Sequence, residues 1–380
     1  MPPLPQPSAQ ALQHSKQLTR LILEEIAVGG GWISFARYME LALYAPGLGY
    51  YSAGAEKFGA AGDFVTSPDM SPLFARCLTK HVSQVLSITS GDILELGAGT
   101  GKLAFDLLRD LEAQNTAPNH YFILEVSGEL QSRQQALIGM LPKKLAQRVK
   151  WLDKLPQHFA GLILANEVFD ALPVHVVAWR SPGIYERGVA FTDGKFCWKE
   201  RPLAQGELFN IASSLQVPVD YVSEIHLAAS GLMHSLAALL DQGVILVLDY
   251  GFGAAEYYHP QRNRGTLMCH YRQQAHDDPF YLPGLQDITS HVNFSALVES
   301  AGDLRLLGYT TQAQFLVNCG ITAILGETAP DDAAYLPLAS AAQKLLSPAE
   351  MGELFKALAL GKGISQQLTG FMSGGKSRLL

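Results

Sequence analysis

The sequence predicts an α/β fold of the Rossmann-like kind, a mostly parallel sheet with helices on both faces. Three observations predict it. A short apolar run, a glycine-rich turn and a helical pattern follow one another at DILELGAGTG, residues 92–101. From there on, apolar runs of strand length alternate with helical patterns, which is the signature of parallel strands buried on both faces. And each of five such runs ends in an acid, at Glu95, Glu125, Asp153, Glu167 and Asp249. Ligands in sheets of this kind bind beyond the carboxyl ends of the strands, so five acids there predict a crevice.

The glycine turn is the most informative stretch. Ile93, Leu94 and Leu96 are strand-like, Glu95 interrupts them, and Gly97, Gly99 and Gly101 alternate before the helical pattern from Leu103. Glycine is needed where φ is positive or where a ligand meets the main chain, and the helix start beyond leaves N–H groups to donate. Dinucleotides call for G-x-G-x-x-G facing a pyrophosphate. Here the pattern is E-x-G-x-G-x-G, and a carboxylate suits a phosphate poorly. It suits S-adenosylmethionine, whose amino group and sulfonium are positive and whose ribose offers two hydroxyl donors. The bland alternative is an ordinary strand-to-helix turn.

Composition sets the bounds. The chain has 380 residues, 48% hydrophobic and 17% charged, and the charged share lies below the roughly 25% of ordinary globular proteins. That favours a large core and a buried oligomer surface, so a homodimer is among the expectations. Net charge is −7 without a long basic run, which argues against nucleic acid as a partner. Cys77, Cys197, Cys269 and Cys319 are scattered and read as free thiols in a reducing compartment. No apolar run reaches the ~20 residues of a membrane span, so no membrane partner is expected. MPPLPQPSAQ has neither the make-up of a secretory signal nor that of an Arg-rich mitochondrial presequence, and a cytoplasmic location is the expectation.

Taken in order, residues 11–28 carry helical spacing and Gly29-Gly30-Gly31 stops it; Ser34 then caps a second helix. Residues 44–74 form a long segment rich in glycine and aromatics, read as an ordered wall of the site, because disordered loops are usually poor in aromatics. Pro72 opens the next helix. Strands are expected at residues 92–96, 119–127, 148–155, 161–167 and 243–251, with a helix at 130–141. An insertion at about 174–241 holds short antiparallel strands with a Thr192-Asp193-Gly194 turn and then a helix. Residues 253–294 read as loop, helical patterns resume from Ser295 and Thr311, and residues 351–363 hold a last strand. Three consecutive blocks follow: 1–90, 91–255 with its insertion, and 256–380.

The candidate chemistry sits at the strand ends. Glu125, closing the second strand, is suited to the ribose hydroxyls, and Leu152 and Asp153 could flank the adenine. Asn166 and Glu167 close the fourth strand, where a methyl acceptor would face. Glu167 and Asp170 are carboxylates that suit a cationic acceptor such as a guanidinium, which they hold by charge-assisted bonds; Asp170 could instead be a helix cap. Asp63 is a further candidate in the glycine-rich wall. His259, His270, His276 and His291 lack metal-ligand spacing, so no metal is expected.

Seven stretches then match a known family in order: GAAGDFVTSPDMSPLF, ELGAGTGKLAFDLLR, NEVFDALPVH, LDYGF, RGTLMCHY, PGLQDITSHVNF and GYTTQAQFL. On these the chain resembles the MidA-like S-adenosylmethionine-dependent methyltransferases, which include the mitochondrial complex I assembly factor that methylates an arginine of a complex I subunit. The resemblance implies a class I methyltransferase sheet of seven strands and a mainly helical second lobe. It implies Gly97, Gly99, Gly101 and Glu125 at the cofactor, Glu167 and Asp170 at the acceptor, and Asp63, Thr66 and Pro68 nearby. The family usually carries proline where Ala98 stands and glycine where Ala75 stands; neither change removes a polar contact. The expected function is methylation of an arginine-containing protein segment, with S-adenosyl-L-methionine as cofactor. A small-molecule methyltransferase and a non-catalytic assembly chaperone with the same fold are the alternatives.

Overall fold

The structure, a computed structural model, describes residues 4–53 and 66–380. It divides into two compact units: one comprises the described residues among 1–64 together with 170–231 and 254–293, and the other holds 66–169, 232–253 and 294–380. The division does not follow the three consecutive blocks expected from sequence. Strand pairing is the reason: Ile33–Ser34, near the N-terminus, pairs with Ile184–Thr192 in the insertion, so distant segments close one unit.

The second unit is built on seven strands: β1 (Asp92–Leu96), β2 (Tyr121–Leu124), β3 (Val149–Leu152), β4 (Phe159–Asn166), β5 (Leu240–Phe252), β6 (Arg305–Thr311) and β7 (Phe355–Lys362). Their spatial order is β3-β2-β1-β4-β5-β7-β6. The neighbours from β3 to β5 run parallel, and β7 runs antiparallel to both β5 and β6. Within this unit the sheet thus has the seven, mostly parallel strands that the family resemblance implied. Alternate residues explain the two covered faces. Ile93, Ile123, Leu162, Leu164, Val244, Leu246 and Leu248 join one core with Leu78, Val82 and Val85 of the helix Pro72–Thr89 and Leu107, Leu108 and Leu111 of the helix Lys102–Ala113. Leu94, Ile163, Ile245 and Val247, pointing the other way, are buried as well. Each such side chain contributes about 1.5–3 kcal/mol of burial.

β6 was not located from the sequence. Its register shifts between Leu306 and Gly308, and a bulge breaks the period-two pattern that would have announced a strand. The helix Gln312–Asn318 that follows it starts where the sequence says, with the Thr311 side chain accepting from the Gln314 N–H.

The first unit carries a five-stranded antiparallel sheet in the order Ile33–Ser34, Ile184–Thr192, His175–Trp179, Tyr221–Ile225, with Lys195–Pro202 paired to Ile184–Thr192. The helices Ala9–Val28 and Phe35–Tyr44 pack on it through Leu18, Ile22, Ile26, Tyr38 and Met39. The lobe expected to be mainly helical is therefore as much sheet as helix. The hairpin turn is the one expected: Asp193 and Gly194 have φ of 53° and 77°, a pair of positive values that matches the right-handed twist of the strands. Residues 253–294, expected as loop, contain a three-stranded antiparallel sheet, Gln274–His276, Met268–Tyr271 and Asp287–Thr289. Strands of three or four residues are too short to display a period.

Candidate active site

Strand register puts the five acids at different heights. Leu124 pairs with Leu96 and Leu152, and Leu96 with Ala165, so these residues form one row across the carboxyl ends of the sheet. Glu125 and Asp153 stand one residue beyond that row, and Glu167 two beyond. Asp249 likewise lies two beyond Val247, the partner of Ala165. Glu95 lies one residue inside it, opposite Ile123 and Leu164.

That difference decides what each acid can do. Glu95 is 3% exposed, and its Oε2 accepts from the Tyr121 hydroxyl at 2.8 Å. Burial, opposed by that bond and aided by the charge of Glu125, pushes its carboxyl up to about 7. Asp249 is fully buried; its Oδ2 accepts from the backbone N–H groups of Val168 and Phe169, at 3.2 and 3.0 Å, and its Oδ1 from that of Tyr250. It shapes the turn that follows β4. Asp153 is exposed, and Leu152 half-buried.

Between β1 and the helix Lys102–Ala113, Gly97, Gly99 and Gly101 have φ of 57°, 53° and 81°. Each conformation is one that a side chain resists. A Cβ built on Gly99 meets nothing within 4 Å, whereas one on Gly101 would lie 3.1 Å from Gln134 Cγ, and one on Gly97 3.3 Å from Val168 Cγ2. So the glycine turn touches the turn after β4 on one side and opens on space at Gly99. Gly101, the N-cap residue, offers no side chain to its helix.

Glu125 is held from two directions. Its Oε1 accepts from the Ser127 N–H and its Oε2 from Gln134 Nε2, both at 3.0 Å. Burial raises its carboxyl above the ordinary carboxylate range, and those two bonds pull against that rise. Sequence reasoning missed Gln134. The signal was present: Leu130, Gln134 and Ile138 are spaced by four on one buried helix face, and a glutamine in a core stripe needs partners.

A second bracket closes the glycine turn. Asp69, in the single helical turn Ser67–Met70, accepts from Thr100 Oγ1 at 2.8 Å and from Thr66 Oγ1 at 2.9 Å. The neighbouring Ser67 N–H donates to Glu167 Oε1 at 3.3 Å, and Asn166 Nδ2 to the same oxygen at 3.1 Å. Glu167 itself has φ of 53°, an uncommon conformation for a side-chain-bearing residue, and its N–H is tied to the Leu248 carbonyl at 2.9 Å. Thr66, Pro68, Asn166 and Glu167 thus gather beside the glycines within one unit, and Pro68 is buried there. Asp69, within a quoted stretch but given no role by the sequence reading, links them.

Asp170 belongs to the other unit. It is 5% exposed, and its carbonyl accepts from the Ser290 N–H at 3.0 Å. In the same unit the Tyr44 hydroxyl donates to the Ala171 carbonyl at 2.9 Å, Tyr44 stacks on Tyr51 with ring centres 5.5 Å apart, and the Tyr51 hydroxyl donates to Asp287 Oδ1 at 2.9 Å. Burial, with the charges of Asp287 and Asp170 reinforcing it, drives the Tyr51 phenol well above its ordinary range. Asp63 lies outside the described residues. Among the described residues no group of three or more His, Cys, Asp or Glu side chains is arranged to hold a metal ion, and no helix is long and apolar enough to cross a membrane.

Residues 73–310 match the model of a family described as "Putative S-adenosyl-L-methionine-dependent methyltransferase". A crystal structure of a Burkholderia thailandensis protein bound to S-adenosyl-homocysteine superposes with a TM-score of 0.96 at 48% identity, covering 100% of both chains. The mitochondrial protein arginine methyltransferase NDUFAF7 of Danio rerio is 29% identical over 90% of this chain and 87% of its own. That of Mus musculus is 30% identical over 87% and 81% respectively.

Proposed function

We propose that this chain, which belongs to the family of S-adenosyl-L-methionine-dependent methyltransferases, methylates an arginine guanidinium of a protein. A respiratory complex I subunit is the target type that the resemblance implies. A cytoplasmic location is part of the same proposal.

The residues fit the cofactor. Gly99 leaves room for a ligand against the main chain. The two oxygens of Glu125 are aimed by Ser127 and Gln134, and each retains a lone pair for a ribose hydroxyl. S-adenosylmethionine, when bound, supplies an electrophilic methyl on a positively charged sulfur. The chain's own part is to bind, align and exclude water.

One observation carries the acceptor assignment: Glu167 is fixed at positive φ beside the glycine turn, with its carboxylate held by the Ser67 N–H and Asn166. A carboxylate held so, two residues beyond the strand row, suits a guanidinium. It would pair with two N–H groups and draw the positive charge away from the attacking nitrogen, raising that nitrogen's nucleophilicity. No strong base is needed before transfer, because the methylated product can shed its proton afterwards. The relatives named as arginine methyltransferases support the same reading.

The test is to incubate the protein with radiolabelled S-adenosylmethionine and cell lysate, then locate the label by peptide mapping. Label on arginine, lost in Glu167→Gln while calorimetric cofactor binding persists, is the expected result. Label on another residue type or on a small molecule overturns the arginine assignment.

A further inference from the structure

Gln134 is wholly buried on the helix Gly128–Ile138, yet every polar atom of its side chain is engaged. Its Nε2 donates to the Gly99 carbonyl and to Glu125 Oε2, each at 3.0 Å, and its Oε1 accepts from the Trp151 indole N–H at 2.9 Å. The amide cannot be turned over. An indole N–H only donates, and a carbonyl and an ionised carboxylate only accept, so oxygen must face Trp151 and nitrogen the other two. These partners belong to the loop after β1, the end of β2, and β3, three neighbouring strands at one end of the sheet. The Cβ built on Gly101 would also press on Gln134. One amide therefore spans the glycine turn and the strand-end carboxylate.

We propose that Gln134 is the positioning residue of the cofactor cradle: its amide fixes the Gly99 main chain relative to the Glu125 carboxylate, and so presets the two ends that grip the nucleoside. The proposal rests on the methyltransferase reading above. Geometry rules out the obvious replacements. A leucine fills the volume but leaves the Gly99 carbonyl, a Glu125 oxygen and the Trp151 N–H each short of a bond, a cost that a buried site feels. A glutamate accepts from Trp151 as before, but when ionised sets its second oxygen against the Glu125 carboxylate and the Gly99 carbonyl. Once protonated, that oxygen can donate to one of the two acceptors that the amide served, and the repulsion between the two carboxylates is gone.

The different behaviour of the two replacements is the test. Full-length wild-type, Q134L and Q134E proteins are titrated with S-adenosylmethionine by calorimetry and by Trp151 fluorescence, with a Trp151→Phe control identifying the signal, between pH 5 and pH 8.5. Thermal melts without cofactor run alongside. At the alkaline end both variants are expected to bind roughly ten- to a hundredfold more weakly than wild type, the loss that goes with a charge-assisted bond. Q134E is expected to recover part of its affinity toward pH 5, at least about threefold, while Q134L stays weak throughout. A side chain that only filled the core would lower the melting temperature of both and leave their pH profiles parallel to wild type; that result, or wild-type affinity in either variant, overturns the inference. Should Q134L fail to fold, Q134E decides alone, through the presence or absence of recovery in acid. Wild-type protein that binds no cofactor sinks the inference together with the reading beneath it, whereas wild-type binding with unchanged variants sinks the inference alone.

Discussion

The Tyr121 hydroxyl donates to Glu95 Oε2 at 2.8 Å from the neighbouring strand, inside the sheet rather than at its rim. The acid of the glycine motif is thus a buried group, raised from an ordinary 4.5 to about 7. The sign of its contribution follows. Between those two values the unfolded chain has lost the proton and the folded one keeps it, so the folded state binds more protons and stability falls as pH rises through the window. At about 1.4 kcal/mol per unit the full span is worth about 3 kcal/mol. Glu95→Gln keeps an oxygen for Tyr121 and removes the titration. Urea midpoints from pH 4.5 to 8 should show the variant gaining on wild type steadily up to about pH 7 and levelling above; parallel curves would show that Glu95 titrates normally.

Asp69 joins Thr100 of the glycine turn to Thr66. Two hydroxyl donors to one half-buried carboxylate contribute roughly 1.5–3 kcal/mol each at most. Asp69→Ala should lower the melting temperature by several degrees and weaken S-adenosylmethionine binding about tenfold, since the turn loses its outer tie. Asp69→Asn retains acceptance from one hydroxyl and should fall between. A variant with wild-type affinity would confine the bracket to stability.

What the sequence made legible divides by range. β1, β2, β4 and β5 announced themselves because Ile93-Leu94, Phe122-Ile123-Leu124, Leu162-Ile163-Leu164 and Ile245-Leu246-Val247 are runs that only a doubly covered strand carries. The glycine turn was legible because positive φ leaves a residue signature. What escaped depended on register or on partners distant in the chain. Glu95 and Glu125 look alike in sequence, both acids near a strand end; only the pairing of Leu96 with Leu124 shows that one is inside and one outside. Tyr51 and Asp287 are 236 residues apart, and no local pattern couples them. In the first unit the antiparallel strands of the insertion and their Asp193-Gly194 turn were legible, but not the pairing of Ile184–Thr192 with Ile33–Ser34, two residues too few to read as a strand.

Glu167 holds φ of 53°, and such a conformation costs a residue with a side chain of the order of 1 kcal/mol. Glu167→Gly removes that cost together with the carboxylate and its bonds to the Ser67 N–H and Asn166. The expected outcome is a melting temperature within about 3 °C of wild type, the strain relief offsetting the lost bonds, with methyl transfer reduced at least about a hundredfold. Glu167→Gln, which keeps the strain and loses the charge, should be no more stable and equally poor at transfer. Retained turnover in both variants would remove Glu167 from the acceptor side.

Gly99 and Gly101 give the sharpest contrast, because the same substitution meets different surroundings. Both have positive φ, 53° and 81°, so alanine at either costs about 1 kcal/mol from the backbone alone. At Gly101 the new Cβ also lies 3.1 Å from Gln134 Cγ and 3.2 Å from its Cα. The helix carrying Gln134 cannot yield without disturbing its bonds to Gly99 and Glu125, so Gly101→Ala should destabilise further and weaken cofactor binding through that displacement. At Gly99 the Cβ meets no atom within 4 Å. Gly99→Ala should therefore fold, melt only a few degrees low, and still lose S-adenosylmethionine affinity by roughly tenfold or more, because the methyl occupies the space where the nucleoside would approach the main chain. Melting curves and calorimetry on the two variants decide it. If Gly99→Ala binds like wild type, the open side of the turn is not where the cofactor rests, and the ligand must be sought elsewhere along the strand ends.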